Sequence, residues 1–160
     1  MVYTVGFWLW IDSGRSYWRN ILTFGEDLGS KDRNPGIYVY PDNTARIHFR
    51  QNSTRNKNDG QDLYNNPPGF RSWFHFAAVV NDNTIQLYLN GSPREQLTLP
   101  GNNKFAWSSA TALKKNLNLN IYRKMGSRGN DGEMYLAHLM WANRALSASE
   151  IGKLARDTDL

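Results

Sequence analysis

The sequence predicts an all-β sandwich or barrel, ended by one short C-terminal helix, and three observations carry that prediction. Apolar residues alternate with polar ones in about nine short runs, the period of a β-strand. Turn-forming residues separate the runs, and a helical pattern appears only near the end. The 160 residues suit one substantial core, so residues 1–160 are read as a single domain. No tandem repeat of fixed period is visible.

The first run is YTVGFWLWID at 3–12. Tyr3, Val5, Phe7, Leu9 and Ile11 alternate with Thr4, Gly6, Trp8 and Trp10, and both sets are largely apolar, as in a central strand. A short strand follows within 20–25, then a polar loop at 26–34 closed by Pro35-Gly36. Residues 37–40 and 45–50 read as a hairpin around the turn residues Pro41, Asp42, Asn43 and Thr44. Residues 51–70 lose the apolar pattern and are expected to form a long surface loop, the kind that carries function more often than its neighbours. Strands are expected at 73–80, 84–89 and 94–99, the last two joined by Asn90-Gly91, a pair suited to the positive φ angles of a type I′ turn. A second long connection fills 100–116 before alternation resumes at Leu117, Leu119 and Ile121. In the last strand, 133–142, Met134, Leu136, His138 and Met140 are expected on one face and Tyr135, Ala137, Leu139 and Trp141 on the other. Ser147 and Glu150 have the spacing of a capping box, with Ile151 and Leu154 on the buried side of the helix.

Composition narrows the function classes. Hydrophobic residues make up 40% and aromatics 13% of the chain, too much for a disordered polymer. The longest apolar runs fall far short of the roughly 20 residues of a membrane-spanning helix. No cysteine is present, which excludes disulfides, thiolate metal sites and thiol nucleophiles. The missing cysteines and the lack of a leader pattern at 1–12 favour a virion or intracellular setting over an extracellular one. The net charge of +5 favours an acidic partner, although no nucleic-acid-binding motif accompanies it.

Three segments together resemble the laminin G-like branch of the concanavalin A-like lectin/glucanase superfamily. They are the opening strand at 3–12, WFHFAAVV at 73–80 with NTIQLYLNG at 83–91, and GEMYLAHLMWANRALSASEI at 132–151. Their order matches the family and they span almost the whole chain. The resemblance implies an antiparallel two-sheet jelly-roll sandwich of concanavalin A type. It also implies a further strand ahead of the opening one, so an open sheet edge or gap is expected beside residues 3–12, to be filled through strand addition by a partner chain or by another part of the same polypeptide. A narrower likeness points to versions found in virion proteins of large double-stranded DNA viruses.

The superfamily includes glycoside hydrolases, which need two carboxylates facing each other across the scissile bond. The glutamates are Glu26, Glu95, Glu133 and Glu150, and no strand shows alternating acids; Asp131 and Glu133 flank Gly132 at a strand entrance. No catalytic residue is therefore assigned. His48, His75 and His138 fall on three separate strands without ligand-spaced neighbours, and the resemblance implies that His75, beside Trp73, is a packing residue. No cofactor is assigned; for calcium, which the family often binds, the candidate ligands are Asp131, Asn130 and Asp42. Trp18, Tyr64, Phe70 and Trp107 lie in or beside loops and are candidate platforms for a sugar ring, or else loop anchors. Arg55 and Lys57, with Arg50, Lys114, Lys115, Arg123, Lys124 and Arg128, form an anion-binding edge if their loops share one rim. Two functions follow as expectations: a non-catalytic carbohydrate-recognition module, or a structural protein such as a minor capsid component, built on protein–protein contacts.

Overall fold

The computed structural model describes residues 1–24, 33–107, 119–121 and 134–157, the backbone alone at 119–121. Strands β1 (Val2–Ile11), β6 (Phe74–Asn81), β7 (Thr84–Leu89), β8 (Ser92–Thr98) and β10 (Met134–Ala142) form one sheet in the order β10-β1-β6-β7-β8. A second sheet has the order β5-β4-β3-β2-β9, from β2 (Arg19–Phe24), β3 (Gly36–Val39), β4 (Ile47–Gln51), β5 (Asp59–Asp62) and β9 (Leu119–Ile121). Every pairing is antiparallel. Helix α1 (Ala148–Asp157) ends the described chain. This is the expected two-sheet sandwich.

Alternation decides which side chains meet between the sheets. Tyr3, Val5, Phe7, Leu9 and Ile11 of β1 pack with Phe74, Phe76, Ala78 and Val80 of β6 against Ile21, Ile37, Val39, Ile47 and Phe49 of the second sheet. Each fully buried side chain of this size contributes roughly 1.5–3 kcal/mol, so this layer supplies the stability that disulfides cannot. The opposite face of the first sheet has its own cover. Leu146 and Ile151 pack there on Ala77, Val79 and Tyr88, and Thr4 Oγ1 donates to Arg144 O (2.8 Å) and accepts from the Leu146 N–H (3.0 Å).

The predicted turn and cap are present. Asn90 (φ 50°) and Gly91 (φ 78°) connect β7 to β8, and the Asn90 side chain accepts from the His75 N–H at 2.8 Å. At α1, Glu150 Oε2 accepts from the Ser147 N–H (2.8 Å) while Ser147 Oγ accepts from the Glu150 N–H (3.3 Å).

Three expectations need correction. The 51–70 segment is not loop throughout, because Asp59–Asp62 forms β5 against β4. The sequence DGQD has no apolar alternation, and only its pairing at the sheet margin makes it a strand. No open edge lies beside β1, which is hydrogen-bonded to β10 on one side and β6 on the other. The faces of β10 change over midway: Met134, Leu136 and Trp141 pack on the main core, whereas Met140 and Ala142 pack under α1. A bulge opposite Gly6–Trp8, with His138 at φ 51°, inserts the extra residue that inverts the alternation.

Candidate functional site

The first sheet has α1 on its outer face; the second sheet carries polar and aromatic groups there. On β3 and β4, Ile37, Val39, Ile47 and Phe49 point into the core, so Tyr38, His48 and Arg50 must point outward. Asp62 of β5 pairs with His48 across the ladder, and Asn20 of β2 pairs with Tyr38. Tyr38 lies low against the sheet over Gly36. A Cβ at Gly36 would come within 2.5 Å of the Tyr38 hydroxyl oxygen, so only glycine leaves room for the ring.

Trp18 forms one wall over this face. Its ring centroid lies 4.5 Å from that of Tyr40 and 4.6 Å from that of His48, with an edge-on contact to Tyr38 at 6.4 Å. Arg46 stacks its guanidinium 3.5 Å from the Tyr40 ring centre and 5.3 Å from that of Tyr64. A recess of about 230 Å³ remains, lined by Trp18, Arg33, Tyr38, His48 and Asn58.

Charge is organised around Asp62. Its Oδ1 lies 2.7 Å from His48 Nδ1 and 2.7 Å from an Arg50 terminal nitrogen. Burial would raise the Asp62 pKa, but the contact with His48 and the charges of His48 and Arg50 outweigh it and hold the carboxyl below its ordinary value. His48 is pushed below its ordinary value, chiefly by burial and against the pull of Asp62. The nearby Asp62 carboxylate pushes the Tyr64 hydroxyl above its ordinary value.

Of the residues singled out in the sequence, Trp18 and Tyr64 join this face, Trp18 half-buried and Tyr64 51% exposed. Arg55 and Lys57 sit on the loop that leads to Asn58; Arg55 is paired to Asp59 at 2.6 Å and Lys57 is exposed. Arg50 stands on β4 rather than in a loop. Phe70 is elsewhere and serves as an anchor, packed against the main core. Trp107 also lies apart, stacked with Tyr3 and Trp141 at centroid distances of 5.9 and 6.3 Å. Asp42 is engaged within the chain: Oδ1 accepts from the Thr44 N–H and hydroxyl (2.9 and 2.6 Å), and Oδ2 pairs with Arg46 at 3.1 Å. Asn130, Asp131, Lys114, Lys115, Arg123, Lys124 and Arg128 lie outside the described residues. Among the described residues, no group of three or more His, Asp or Glu side chains is placed to hold a metal ion. No described helix is long and apolar enough to cross a membrane.

Sequence reasoning missed Arg33, Tyr38, Tyr40, Arg46, His48, Asn58 and Asp62 as members of one site. The available signal was strand parity: polar and aromatic residues occupy the positions of 36–40 and 46–50 that alternate with the core.

Comparison with known proteins agrees with this architecture. A family model described as the concanavalin A-like lectin/glucanases superfamily matches residues 2–152. Similar solved structures include the botulinum neurotoxin serotype D ligand binding domain in complex with N-acetylneuraminic acid. It has a TM-score of 0.70 and 12% identity over 98% of this chain and 36% of that one. Botulinum neurotoxin type C, which depends on interaction with two ganglioside molecules to get into cells, matches with a TM-score of 0.67 and 16% identity, over 98% and 35% of the two chains. The binding domain of serotype D/C matches with a TM-score of 0.67 and 15% identity, over 98% and 36%. These likenesses are of fold, and the chain spans about a third of the length of each. No curated protein matches it.

Proposed function

The chain belongs to the concanavalin A-like lectin/glucanases superfamily, and from that premise we propose that it is a non-catalytic binding module that recognises carbohydrate on the outer face of its second sheet. The observation that carries this reading is the recess in which the Trp18 indole stands beside a guanidinium, an imidazole and an amide, from Arg33, His48 and Asn58. A pyranose ring offers C–H groups to an aromatic face and hydroxyls to its rim, and this lining matches both. The solved relatives with sialic acid or gangliosides in their descriptions lend the reading weight.

The chemistry of the face fits binding better than hydrolysis. A general acid needs a raised pKa, and Asp62 has a lowered one because His48 and Arg50 grip it. A glycan array probed with the intact chain and with Trp18→Ala tests the proposal. Binding by the intact chain, reduced tenfold or more in the variant, is expected. A folded chain that binds no neutral or acidic glycan would overturn it.

A second reading, protein–protein assembly, is favoured by a different feature. Among the described residues β10 has β1 on one side and no strand on the other. Beside it an apolar groove of about 430 Å³ runs to α1, lined in part by Met140, Trp141, Leu146 and Leu154. A strand added to β10 could place side chains in that groove. Amide exchange along β10, measured in the isolated chain and in its native assembly, tests this: protection gained only in the assembly supports it, and equal protection opposes it.

A further inference from the structure

Three arginines around the second sheet are paired with carboxylates. Arg46 pairs with Asp42 (3.1 Å), Arg50 with Asp62 (2.7 Å) and Arg55 with Asp59 (2.6 Å). Arg33 has no carboxylate partner among the described residues, although it is only 9% exposed and lines the recess. One terminal nitrogen donates to Asn58 Oδ1, the guanidinium lies 5.3 Å from the Tyr38 ring centre, and the buried Nε has no hydrogen-bond partner.

A buried, unpaired guanidinium is unfavourable unless something else supplies the anion. Burial lowers the Arg33 pKa, and the nearby charge of Arg50 lowers it further. Asp62 is paired with Arg50, and Arg33 is the one arginine or lysine among the described residues that line the recess. Asn58 spends its oxygen on Arg33, which leaves its amide N–H groups as donors beside the same opening.

We propose that the recess selects an acidic glycan, with Arg33 donating to a carboxylate or sulfate while the sugar ring rests against Trp18. This rests on the carbohydrate reading above and sharpens it to a ligand class. A planar guanidinium held by Asn58 and Tyr38 presents its remaining donors in a fixed orientation, the geometry that favours a two-oxygen anion. Neutral sugars leave its charge uncompensated.

The test is calorimetric titration of the intact chain with oligogalacturonate and with its methyl ester, and in parallel with a sulfated galactan oligosaccharide and its desulfated form. In at least one pair the acidic member is expected to bind about tenfold or more tighter than its neutral counterpart, the range of a charge-assisted hydrogen bond. The pair that shows the difference identifies the anion as carboxylate or sulfate. Arg33→Gln is expected to abolish that preference and Arg33→Lys, which keeps the charge and loses the planar fork, to retain part of it; the lysine variant carries the test if the glutamine variant does not fold. Equal affinity within both pairs, or a preference that survives Arg33→Gln, overturns this inference and leaves the carbohydrate reading standing. No binding to any of the four by the folded chain overturns this inference, and the carbohydrate reading falls with it only when the glycan array is blank as well.

Discussion

His75 sits on β6, 4% exposed, with its ring edge against Trp8 at 5.6 Å and no partner for Nδ1. Burial pushes its pKa from 6.5 down to about 4. Between those two values the unfolded chain binds the proton that the folded chain refuses, so stability is complete above about pH 6.5 and is lost as pH falls towards about 4. The shift corresponds to about 3 kcal/mol at most. Denaturant unfolding at pH 7 and pH 4.5 is expected to show a fall in stability that shrinks in His75→Gln; an unchanged fall would assign the pH effect to other groups. The family resemblance placed His75 as a packing residue beside Trp73, in agreement with its burial. It did not place His48, which has the same alternating setting but faces Asp62 and Trp18. Trp18 and Tyr64 stood out as aromatics beside loops, as did Phe70 and Trp107, and only tertiary packing separates the two pairs.

At the scale of elements, local chemistry wrote most of the boundaries. The Asn90-Gly91 turn and the Ser147/Glu150 cap were readable because each depends on a few adjacent residues. Glu150 is held down to about 2 by the Arg144 guanidinium at 2.6 Å and by the Ser147 N–H. Ser147→Ala removes one half of the cap and is expected to lower stability by about 1 kcal/mol, read by thermal or urea unfolding; a loss within error would mean that packing alone sets the helix start. Gly91 has a second constraint: a Cβ there would lie 3.0 Å from Gly152 Cα and 3.2 Å from Ala155 Cβ of α1. Gly91→Ala combines that contact with a positive φ, and is expected to cost more than about 1 kcal/mol in the same unfolding measurements. By contrast, β5 and the β10 bulge were hidden from the sequence. One is a polar strand made by its neighbour, and the other depends on a residue count against β1 that alternation within β10 does not contain.

For the whole molecule, the two outer faces of the sandwich are built differently. The first sheet is capped by α1, and the second is open at a recess walled by Trp18 and backed by Tyr38, His48 and Arg33. The net charge of +5 favours acidic ligands in general, and the proposed function assigns that attraction to the recess. Backbone amide shifts recorded during titration of the intact chain with its best-binding oligosaccharide test this claim most directly. The account predicts that the perturbed amides cluster around Asn20, Tyr38, His48, Arg50 and Asn58. Perturbations confined to the Trp107 and Trp141 stack, or to the groove between β10 and α1, would contradict it.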